Sequence, residues 1–497
     1  MFEKFVLDPL IDSLARFHDR NAFYINNTYY TFQDLAENIS KIRFRIQTLN
    51  YASRNIGLIA NDDIETYASI IAVWLEGLSY VPIHPKHPVK RGLEIIEQAG
   101  IELIIDSSDK PVYTFTQVIE SKGLLFKALN LEPNQVSDND IAYILFTSGS
   151  TGNPKGVPIT RNSLGAFMKA FWAVGIMINE DDRCLQCFDL TFDVSVQSFL
   201  VPLSRGACTY TVPHDQIKFS YAYGLLEEYK LTFGAMVPSM VRFLKPYFNE
   251  IDLPDLKYNI LTAEASPLAL IEEWSKCIPN AEIFDFYGPT EATIYCTYYK
   301  YVRKGANKHL NGMLSIGKPL DGIKAIITDE DKNILPLNHK GELCISGAQV
   351  TSGYWKNPEK NQTSFFSKII NSRPIKFYKT GDLCYIDGYG DIMYSGRIDF
   401  QVKIQGFRIE LGEIEHHARE YIKDRNVVAV SFENSSGNNE IALFIEGKLT
   451  NTQNLLEHLK SKMPYYMIPA RIIERTEFPL NPNGKVDRNA LKESISQ

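Results

Sequence analysis

Short apolar runs alternate with amphipathic stretches through most of the first 300 residues, and this alternation limits the folds that the chain can adopt. The runs are rich in β-branched residues, as in residues 55–60, 141–147 and 258–262. The stretches between them, such as residues 67–78 and 268–277, repeat their apolar residues at helical spacing. Strands that alternate with helices form βαβ units, whose parallel sheets are covered by helices on both faces. The sequence therefore predicts an α/β fold.

The pattern changes in the last third of the chain. From about Ser315 onward, short strands are separated by turn signals such as Asp321-Gly322 and Asp387-Gly388. Such a pattern is typical of an antiparallel, barrel-like section. After Arg397 a compact α+β segment follows, with the size of one small domain. Because no low-complexity linker precedes it, we expect a tight joint near Asp399.

Composition and charge exclude several classes of protein. With 44% hydrophobic and 22% charged residues, the chain resembles an ordinary soluble globule rather than a disordered or fibrous protein. A net charge of -7 argues against binding nucleic acid by bulk electrostatics. Seven scattered cysteines fit a reduced compartment. The N-terminus lacks a signal-peptide pattern, and Glu76 and Pro82 interrupt the most apolar stretch, so we expect no membrane span and a cytoplasmic enzyme.

The most specific motif is a loop rich in glycine and hydroxyl groups at residues 147–156, TSGSTGNPKG. It directly follows the apolar run at 141–146, so it marks a transition from a strand to a loop. Its glycines allow close backbone approach, its serines and threonines offer hydroxyl donors, and Lys155 adds a positive charge. The sequence does not fit a Walker A loop, because no GxxxxGK[ST] spacing is present. The motif predicts phosphate binding by a protein that is not a P-loop NTPase.

Further polar motifs follow at wide intervals. Residues 287–291, YGPTE, again follow a strand and combine a flat tyrosine ring, a threonine hydroxyl and a carboxylate that can bind Mg²⁺. Asp382 and Arg397 supply a carboxylate suited to a ribose diol and a guanidinium. Lys485 lies in an Asn/Pro/Gly turn near the end of the chain, and by itself it would be interpreted as a surface lysine.

In this order and spacing, these motifs resemble the adenylate-forming superfamily, which includes acyl-CoA synthetases, luciferases and the adenylation domains of nonribosomal peptide synthetases. The resemblance extends to residues 75–88 (LEGLSYVPIHPKHP), 341–347 (GELCISG) and 401–415 (QVKIQGFRIELGEIE), so it spans nearly the whole chain. It implies a large N-terminal domain, residues 1–398, made of two parallel-sheet α/β subdomains and a distorted β-barrel. A small, mobile α+β domain, residues 399–497, would then rotate about a hinge at Asp399.

The resemblance also implies the reaction and the roles of the motif residues. A carboxylate attacks the α-phosphate of ATP, pyrophosphate leaves, and a thiol later displaces AMP from the acyl-adenylate. The catalytic residues would be Lys485, which bridges substrate and nucleotide, together with Thr290 and the Mg²⁺ ligand Glu291. The remaining nucleotide-binding residues would be Thr147, Ser148, Gly149, Thr151 and Lys155 at the phosphates, Tyr287 at the adenine, and Asp382 and Arg397 at the ribose.

Asp193 indicates the class of acid. The motif at residues 192–197, FDVSVQ, resembles that of amino-acid-activating members, in which the aspartate pairs with the α-ammonium group of the substrate. A carboxylate in such an apolar run is costly to bury unless a cation joins it. The alternative is that Asp193 caps the helix that follows.

The side-chain pocket that the resemblance implies contains two aromatic residues and no charged side chain. We therefore expect a small or medium neutral amino acid of the alanine, glycine, serine or proline type. Val194 with Gln197 is similar to proline-activating members, whereas residues 261–267 are similar to D-alanine–carrier protein ligases, so the amino acid and its chirality stay open. The pocket positions are Val194, Gln197, Ala235, Leu261, Ala263, Phe286, Ile294 and Tyr295.

The expected acceptor is the phosphopantetheine thiol of a separate acyl or peptidyl carrier protein, because no carrier segment follows Lys485; coenzyme A is the other possibility. Gln405 replaces the arginine common in the tail motif, which affects the expectation for the second step only. An acyl-CoA synthetase acting on a non-amino acid is the alternative enzyme. A catalytically silent nucleotide-binding protein is the alternative outside enzymes.

Two clusters of candidate metal ligands have simpler interpretations. Cys184 and Cys187 form a CxxC pair without a second pair or histidines at zinc spacing, so we expect buried strand cysteines. His416 and His417 lie in a charged helical pattern, which predicts a solvated helix face.

Overall fold

The computed structural model describes residues 1–114, 116–149, 153–423, 425–449, 451–480 and 486–495. These residues form two compact units. The first comprises Met1–Pro85, Ile96–Leu145 and Gly156–Ile398, and the second comprises Lys86–Ile95, Phe146–Lys155 and Asp399–Gln497. Two short segments of the N-terminal part, residues 86–95 and 146–155, therefore belong to the second unit, because their contacts are with the C-terminal segment.

The helices of the described residues are short to medium in length. Most follow a strand directly, as βαβ units require. The α-helices are α1 (Asp8–Arg16), α2 (Phe32–Gln47), α3 (Ile64–Leu75), α4 (Val89–Ala99), α5 (Arg161–Ala173), α6 (Val194–Leu203), α7 (Lys218–Glu228), α8 (Pro238–Leu244), α9 (Leu268–Cys277), α10 (Pro358–Ser364), α11 (Leu411–Tyr421), α12 (Thr452–Lys460) and α13 (Arg488–Glu493). A π-helical turn spans Glu3–Leu7, and 3₁₀ turns span Lys245–Tyr247, Thr290–Ala292 and Tyr465–Met467.

The strands cluster into several sheets. They are β1 (Asn21–Ile25), β2 (Thr28–Thr31), β3 (Asn55–Ile59), β4 (Ser79–Ile83), β5 (Leu103–Asp106), β6 (Gln117–Glu120), β7 (Ile141–Thr147), β8 (Lys155–Thr160), β9 (Arg183–Gln186), β10 (Cys208–Thr211), β11 (Phe233–Met236), β12 (Tyr258–Thr262), β13 (Glu282–Tyr287), β14 (Thr297–Lys300), β15 (His309–Leu310), β16 (Met313–Leu314), β17 (Lys318–Pro319), β18 (Ile323–Thr328), β19 (Gly341–Gly347), β20 (Phe365–Ile370), β21 (Arg373–Ile386), β22 (Ile392–Arg397), β23 (Gln401–Ile404), β24 (Phe407–Glu410), β25 (Val427–Glu433), β26 (Asn439–Glu446) and β27 (Arg471–Arg475).

Two large sheets carry the parallel part of the fold. One has the order β6-β5-β3-β4-β7-β8, and the other has the order β17-β14-β13-β12-β11-β9-β10-β1-β2. Pairing is parallel from β6 to β7 in the first sheet and from β13 to β1 in the second. The predicted α/β fold with parallel sheets is confirmed. Apolar residues of both sheets share one buried core, which also includes α3 and α6.

The antiparallel section predicted after Ser315 is also present. Strands β18, β19, β21 and β20 pair in that order, with β22 on β21, and every pairing is antiparallel. This sheet ends the first unit at Ile398.

The second unit has its own core. The hairpin β23–β24 turns at Gln405 and Gly406, which both have positive φ (51° and 82°), as a two-residue type I′ turn requires. Apolar residues of α11 and α12 pack on the three-stranded sheet β25-β26-β27. Within the described ranges, no helix has both the length and the apolar character needed to cross a bilayer.

Candidate functional site

The predicted phosphate loop lies between β7, which ends at Thr147, and β8, which begins at Lys155. The loop is tight. A Cβ atom on Gly149 would lie 2.1 Å from the carbonyl oxygen of Asn153, so a larger residue would force the backbone to move. Thr151, which we expect to contact phosphate, lies outside the described residues.

The donors of this loop face carboxylates of the C-terminal segment, inside the second unit. The backbone N–H of Gly149 donates to Oε2 of Glu413 over 3.0 Å. The ammonium of Lys155 lies 3.4 Å from Oε1 of Glu410. A backbone amide and a buried ammonium that both meet oxyanions are features of an anion-binding loop. Phosphate binding by this loop stays a prediction.

Buried polar contacts surround these donors. The Ser148 hydroxyl donates to the carbonyl of Arg408 over 2.8 Å and accepts the N–H of Glu410 over 3.2 Å. Glu413 also pairs with Arg91, at 2.6 Å, and these two side chains are only 0% and 5% exposed. The carboxylate of Glu413 thus has both a guanidinium and a loop amide as partners.

Three residues predicted to bind nucleotide meet in the first unit. Asp382 in β21 and Arg397 in β22 are directly opposite each other, and Nη1 of Arg397 donates to Oδ1 of Asp382 over 3.0 Å. The phenol of Tyr287, at the end of β13, donates to Oδ2 of Asp382 over 2.5 Å. Burial, with the charge of Asp382, raises the pKa of Tyr287 well above its usual range, so the phenol keeps its proton. Both carboxylate oxygens of Asp382 are therefore held in place.

Glu291 lies in the 3₁₀ turn Thr290–Ala292 and is fully buried, at 0% exposure. Its Oε1 atom accepts a hydrogen bond from the phenol of Tyr354 over 2.6 Å. A Cβ atom on Gly288 would lie 2.4 Å from the carbonyl oxygen of Ile294. Glycine therefore allows the backbone at residue 288 to pack closely against the backbone at residue 294. The YGPTE motif is therefore a tight turn that fixes one buried carboxylate.

Asp193 immediately precedes α6, yet its side chain makes no capping hydrogen bond with the first turn of that helix. The side chain is only 3% exposed. Burial raises the pKa of Tyr80, Tyr143 and Tyr295, and the negative charge of Asp193 raises the pKa of each phenol further. The side chain therefore does not cap α6, and its negative charge acts on three buried tyrosines.

Several predicted pocket residues share one face of the nine-stranded sheet. Side chains alternate between the faces of a strand, and Ala235 in β11, Phe286 in β13 and Tyr295 all belong to the core cluster that includes α6. Leu261 in β12 packs in a second cluster on the other face, and Ala263 packs against that second cluster. The place of these two residues in the pocket stays a prediction.

Aromatic rings and one amide line the group around Tyr295. The rings of Phe286 and Tyr295 lie 4.9 Å apart, and Phe171 lies 6.1 Å from Phe286. The Tyr295 phenol donates to Oε1 of Gln197 over 3.3 Å. The Nε2 atom of Gln197 is buried and has no hydrogen-bond partner among the described residues. Val194 and Ile294 are also buried in this cluster.

Three residues at or beside the predicted pocket have a strained backbone. Ala263, Thr293 and Ile294 have positive φ angles of 67°, 58° and 73°. Positive φ is rare for residues with a Cβ, above all for β-branched ones, and such strain is typical of functional sites.

Two predicted residues lie at the C-terminal part of the chain. Lys485 falls outside the described residues, and its role stays a prediction. Asp399 is the first residue of the C-terminal segment of the second unit, and its Oδ1 atom accepts the N–H of Gln401 over 3.1 Å. Its role as a hinge also stays a prediction.

Sequence reasoning missed the tyrosines of the site. Tyr354 holds Glu291, and Tyr80 and Tyr143 lie near Asp193. Each lies far along the chain from its partner, and the chain contains 27 tyrosines, so no local pattern distinguishes them.

The candidate metal ligands have different outcomes. Cys184 and Cys187 are buried free thiols, and burial raises the pKa of Cys187 to about 12, so the prediction of buried cysteines is confirmed. The prediction of a solvated face on α11 is partly wrong. Glu413 is buried there because it contacts Gly149 and Arg91, and His417 is also buried, while His416 is exposed.

Comparison with solved structures identifies the fold. The Vibrio cholerae adenylation domain AlmE, solved in complex with glycyl-adenosine-5'-phosphate, superposes with a TM-score of 0.86, covering 98% of this chain and 97% of that chain at 22% identity. An artificially fused adenylation–carrier di-domain, NpsA-ThdA from Klebsiella oxytoca, gives 0.82 over 94% and 92% at 23% identity. The fold is that of an adenylation domain.

The family follows from the sequence. The profile of the AMP-binding enzymes matches residues 10–355, so the chain belongs to this family of adenylate-forming, AMP-producing ligases, as the motifs indicate. It is 32% identical to bacitracin synthase 3 of Bacillus licheniformis over 89% of its own length, and 29% identical to tyrocidine synthase 3 of Brevibacillus parabrevis over 95%. The chain spans only 7% of the length of each of these two relatives.

Proposed function

We propose that this chain activates a small or medium neutral amino acid with ATP and transfers it to the phosphopantetheine thiol of a carrier protein. The observation that carries the proposal is the environment of Asp193. Asp193 is 3% exposed, its charge acts on Tyr295, and its side chain does not cap α6. A buried carboxylate is costly unless a cation joins it, and the α-ammonium of an amino acid supplies that cation. A fatty or aryl acid offers no such group.

The walls of the pocket support a small, neutral side chain. The rings of Phe286 and Tyr295 lie 4.9 Å apart, and none of the eight predicted side-chain positions of the pocket carries a charged residue. Among alanine, glycine, serine and proline, only serine carries a side-chain oxygen that can accept the Nε2–H of Gln197. We therefore propose serine as the preferred substrate within this set.

The first step joins two anions, so positive groups must neutralise them and hold them in line. A carboxylate oxygen of the amino acid attacks the α-phosphorus of ATP, the bond to the bridging oxygen breaks, and pyrophosphate leaves. The amide of Gly149 and the ammonium of Lys155 suit the phosphates, because both already meet oxyanions. Thr147, Ser148, Thr151 and Thr290 remain proposed phosphate contacts. Lys485 is proposed to bridge the substrate carboxylate and the nucleotide.

The nucleoside would be held by the group around Asp382. Tyr287 and Arg397 fix the two oxygens of this carboxylate, so it is oriented before the ribose hydroxyls arrive. Glu291, a buried carboxylate with one phenol donor, fits Mg²⁺, which is commonly bound by one or two carboxylates together with phosphate oxygens. When bound there, the ion would neutralise charge on the phosphates.

The second step is proposed to use a carrier protein. The thiol attacks the acyl carbon of the adenylate, and AMP leaves as the thioester forms. The fused adenylation–carrier structure of NpsA-ThdA supports a carrier as the partner of this fold. We propose that Asp399 is the hinge at which residues 399–497 turn between the two steps.

Pyrophosphate exchange with a panel of D- and L-amino acids, fatty acids and aryl acids tests this proposal. We expect exchange with a small neutral amino acid, and about a 100-fold loss in Asp193→Asn, because the ammonium then lacks its charged partner. Asp109→Asn is the matched control, since Asp109 is exposed and lies outside the pocket. Exchange only with fatty or aryl acids, or an unaffected Asp193→Asn variant, would overturn the proposal in favour of an acyl-CoA synthetase.

A further inference from the structure

A second cluster of titratable side chains lies outside the proposed substrate pocket, inside the first unit. His84, Asp189 and His214 each offer one ligand atom, and these three atoms lie within 4.8 Å of one another. The side chains are 3%, 4% and 12% exposed. From this geometry we propose that the three residues bind one Zn²⁺ ion. The proposal is independent of the amino-acid-activating function.

The fold brings the three residues together from two sheets. His84 follows β4 of the six-stranded sheet, whereas Asp189 and His214 follow β9 and β10 of the nine-stranded sheet. All three lie just beyond the carboxyl ends of parallel strands, where the loops of α/β folds place their functional groups. An ion at this point would link the edges of the two sheets.

The distances match those of a tetrahedral zinc site. Oδ1 of Asp189 lies 3.3 Å from Nδ1 of His214 and 3.6 Å from Nε2 of His84. With zinc–nitrogen and zinc–oxygen bonds of about 2.0–2.2 Å, neighbouring ligand atoms of a tetrahedron lie about 3.3 Å apart. Charge-assisted hydrogen bonds are shorter, at about 2.7–2.9 Å. Both distances are longer than a charge-assisted hydrogen bond and are close to the spacing of neighbouring zinc ligands.

The second nitrogen of His214 fixes which atom would bind the ion. Nε2 lies 3.0 Å from the carbonyl oxygen of Ala60, and a carbonyl can only accept, so Nε2 carries a proton. In the neutral ring, Nδ1 then presents its lone pair to Oδ1 of Asp189, and two acceptors repel unless a cation lies between them. Zinc-bound histidines commonly donate their other N–H to a backbone carbonyl in this way.

Neighbouring charges are compatible with a divalent ion. Lys218 lies 3.1 Å from Oδ2 of Asp189, the oxygen that faces away from the imidazoles, and so favours binding through Oδ1 alone. The carboxylate of Asp62 accepts a hydrogen bond from the phenol of Tyr67 and lies near enough to act on His214. These two carboxylates offset part of the positive charge of Lys218 and the ion.

The competing arrangement is an imidazolium on His214. Burial lowers the pKa of His214, but its hydrogen bond to Asp189 and the charges of Asp62 and Asp189 outweigh burial and raise it. A proton on Nδ1 would then replace the ion. Two imidazoles, one carboxylate and an open fourth position are the donor set of many zinc sites, and they favour the metal.

The ion would support the proposed substrate pocket. The carbonyl of Asp189 accepts the N–H of Phe192, which immediately precedes Asp193. Phe188 and Phe192 also stack, with ring centres 6.1 Å apart. Zn²⁺ on Asp189 would therefore fix the turn that orients the Asp193 carboxylate, as a positioning group.

Metal analysis of tag-free, full-length protein tests the proposal. A second cluster on α11, His416, His417 and Glu420, also brings ligand atoms within 4.8 Å of one another, so the experiment uses the His416→Ala variant as its background. We expect about one equivalent of zinc by elemental analysis. Titration of chelator-treated protein with Co²⁺ should give the visible absorption of a four-coordinate site, with loss of that signal when Zn²⁺ is added.

Substitution of the proposed ligands distinguishes a bound zinc ion from a protonated His214. His84→Gln and His214→Gln should each weaken zinc binding by about 100-fold, whereas His339→Gln, an exposed histidine elsewhere, should leave it unchanged. The proposal would be overturned if the His416→Ala protein bound neither Zn²⁺ nor Co²⁺ stoichiometrically. This protein keeps all three proposed ligands, so the result does not depend on the folding of a ligand variant. Full binding by His84→Gln would overturn the proposal as well.

Discussion

Arg397 lies directly opposite Asp382 in the pairing of β21 with β22, and its guanidinium donates to Oδ1 of Asp382 over 3.0 Å. The same Nη1 atom also donates to the carbonyl of Thr380 over 2.9 Å. Tyr287 holds the other oxygen of Asp382 from a different sheet. A carboxylate held at both oxygens cannot turn freely, so it offers its remaining lone pairs to a ribose in one orientation.

Tyr287→Phe tests whether this orientation serves nucleotide binding. The variant keeps the ring but removes the donor to Oδ2 of Asp382, and a hydrogen bond to a charged group contributes about 1.5–3 kcal/mol. We expect KM for ATP in pyrophosphate exchange to rise about 10- to 100-fold, with a smaller effect on the KM for the amino acid. Tyr389→Phe, at an exposed tyrosine, is the control. An unchanged KM for ATP would show that the phenol does not orient Asp382 for binding.

The local sequence pattern predicts where helices and strands lie, but it does not predict which distant residues come into contact. Strands 141–147 and 258–262 and helix 268–277 have the predicted bounds, because hydrophobic periodicity is a local property. The meeting of Tyr287 with Asp382 is not local, since 95 residues separate them, and it could be expected only from the resemblance. The pairing of strands in sheets brings such residues together, and this pairing cannot be inferred from a single sequence.

At the candidate sites, too, local sequence patterns do not predict where side chains lie in the folded chain. The resemblance predicts Leu261 and Ala235 in one pocket, whereas the two side chains pack in different core clusters, so the role of Leu261 stays a prediction. His84, Asp189 and His214 have no motif spacing at all, because they follow strands of different sheets. The sequence leaves Asp193 ambiguous between capping and substrate binding, and only its side-chain geometry excludes the cap.

A buried ion pair in the second unit predicts a large effect on stability. Arg91 and Glu413 lie 2.6 Å apart and are almost fully buried, so removing one partner leaves an uncompensated charge. Arg91→Met and Glu413→Leu should each lower the free energy of unfolding by about 3–5 kcal/mol, and the double variant should lose much less than the sum. Urea denaturation of the four proteins measures this. Lys90→Met, in an exposed pair with Glu94, should cost about 1 kcal/mol or less. Additive losses in the double variant would contradict coupling between the two charges.

Glu420 gives a prediction for pH. A hydrogen bond from His417, together with Lys462, lowers the pKa of Glu420 to about 2 from its ordinary value of 4.5. Because the folded pKa is depressed, the stabilisation is fully present above the unfolded value and is lost as pH falls from about 4.5 towards 2. The side chain is 38% exposed, so solvent screening reduces the effect. The stability difference between wild type and Glu420→Gln should shrink by about 0.5 kcal/mol from pH 7 to pH 4 in urea denaturation. A difference that stays constant would show that Glu420 is not linked to folding in this way.

Lys485 should separate the two half-reactions. If its ammonium bridges the substrate carboxylate and the nucleotide only while the adenylate forms, Lys485→Ala removes charge stabilisation from the first step alone. We expect pyrophosphate exchange to fall at least about 100-fold, while transfer from chemically prepared aminoacyl-AMP to a loaded carrier protein changes by no more than about threefold. Lys492→Ala, at an exposed lysine of α13, controls for loss of charge in this segment. Equal losses in both half-reactions would mean that Lys485 acts through the structure of the C-terminal segment and not at the reacting atoms.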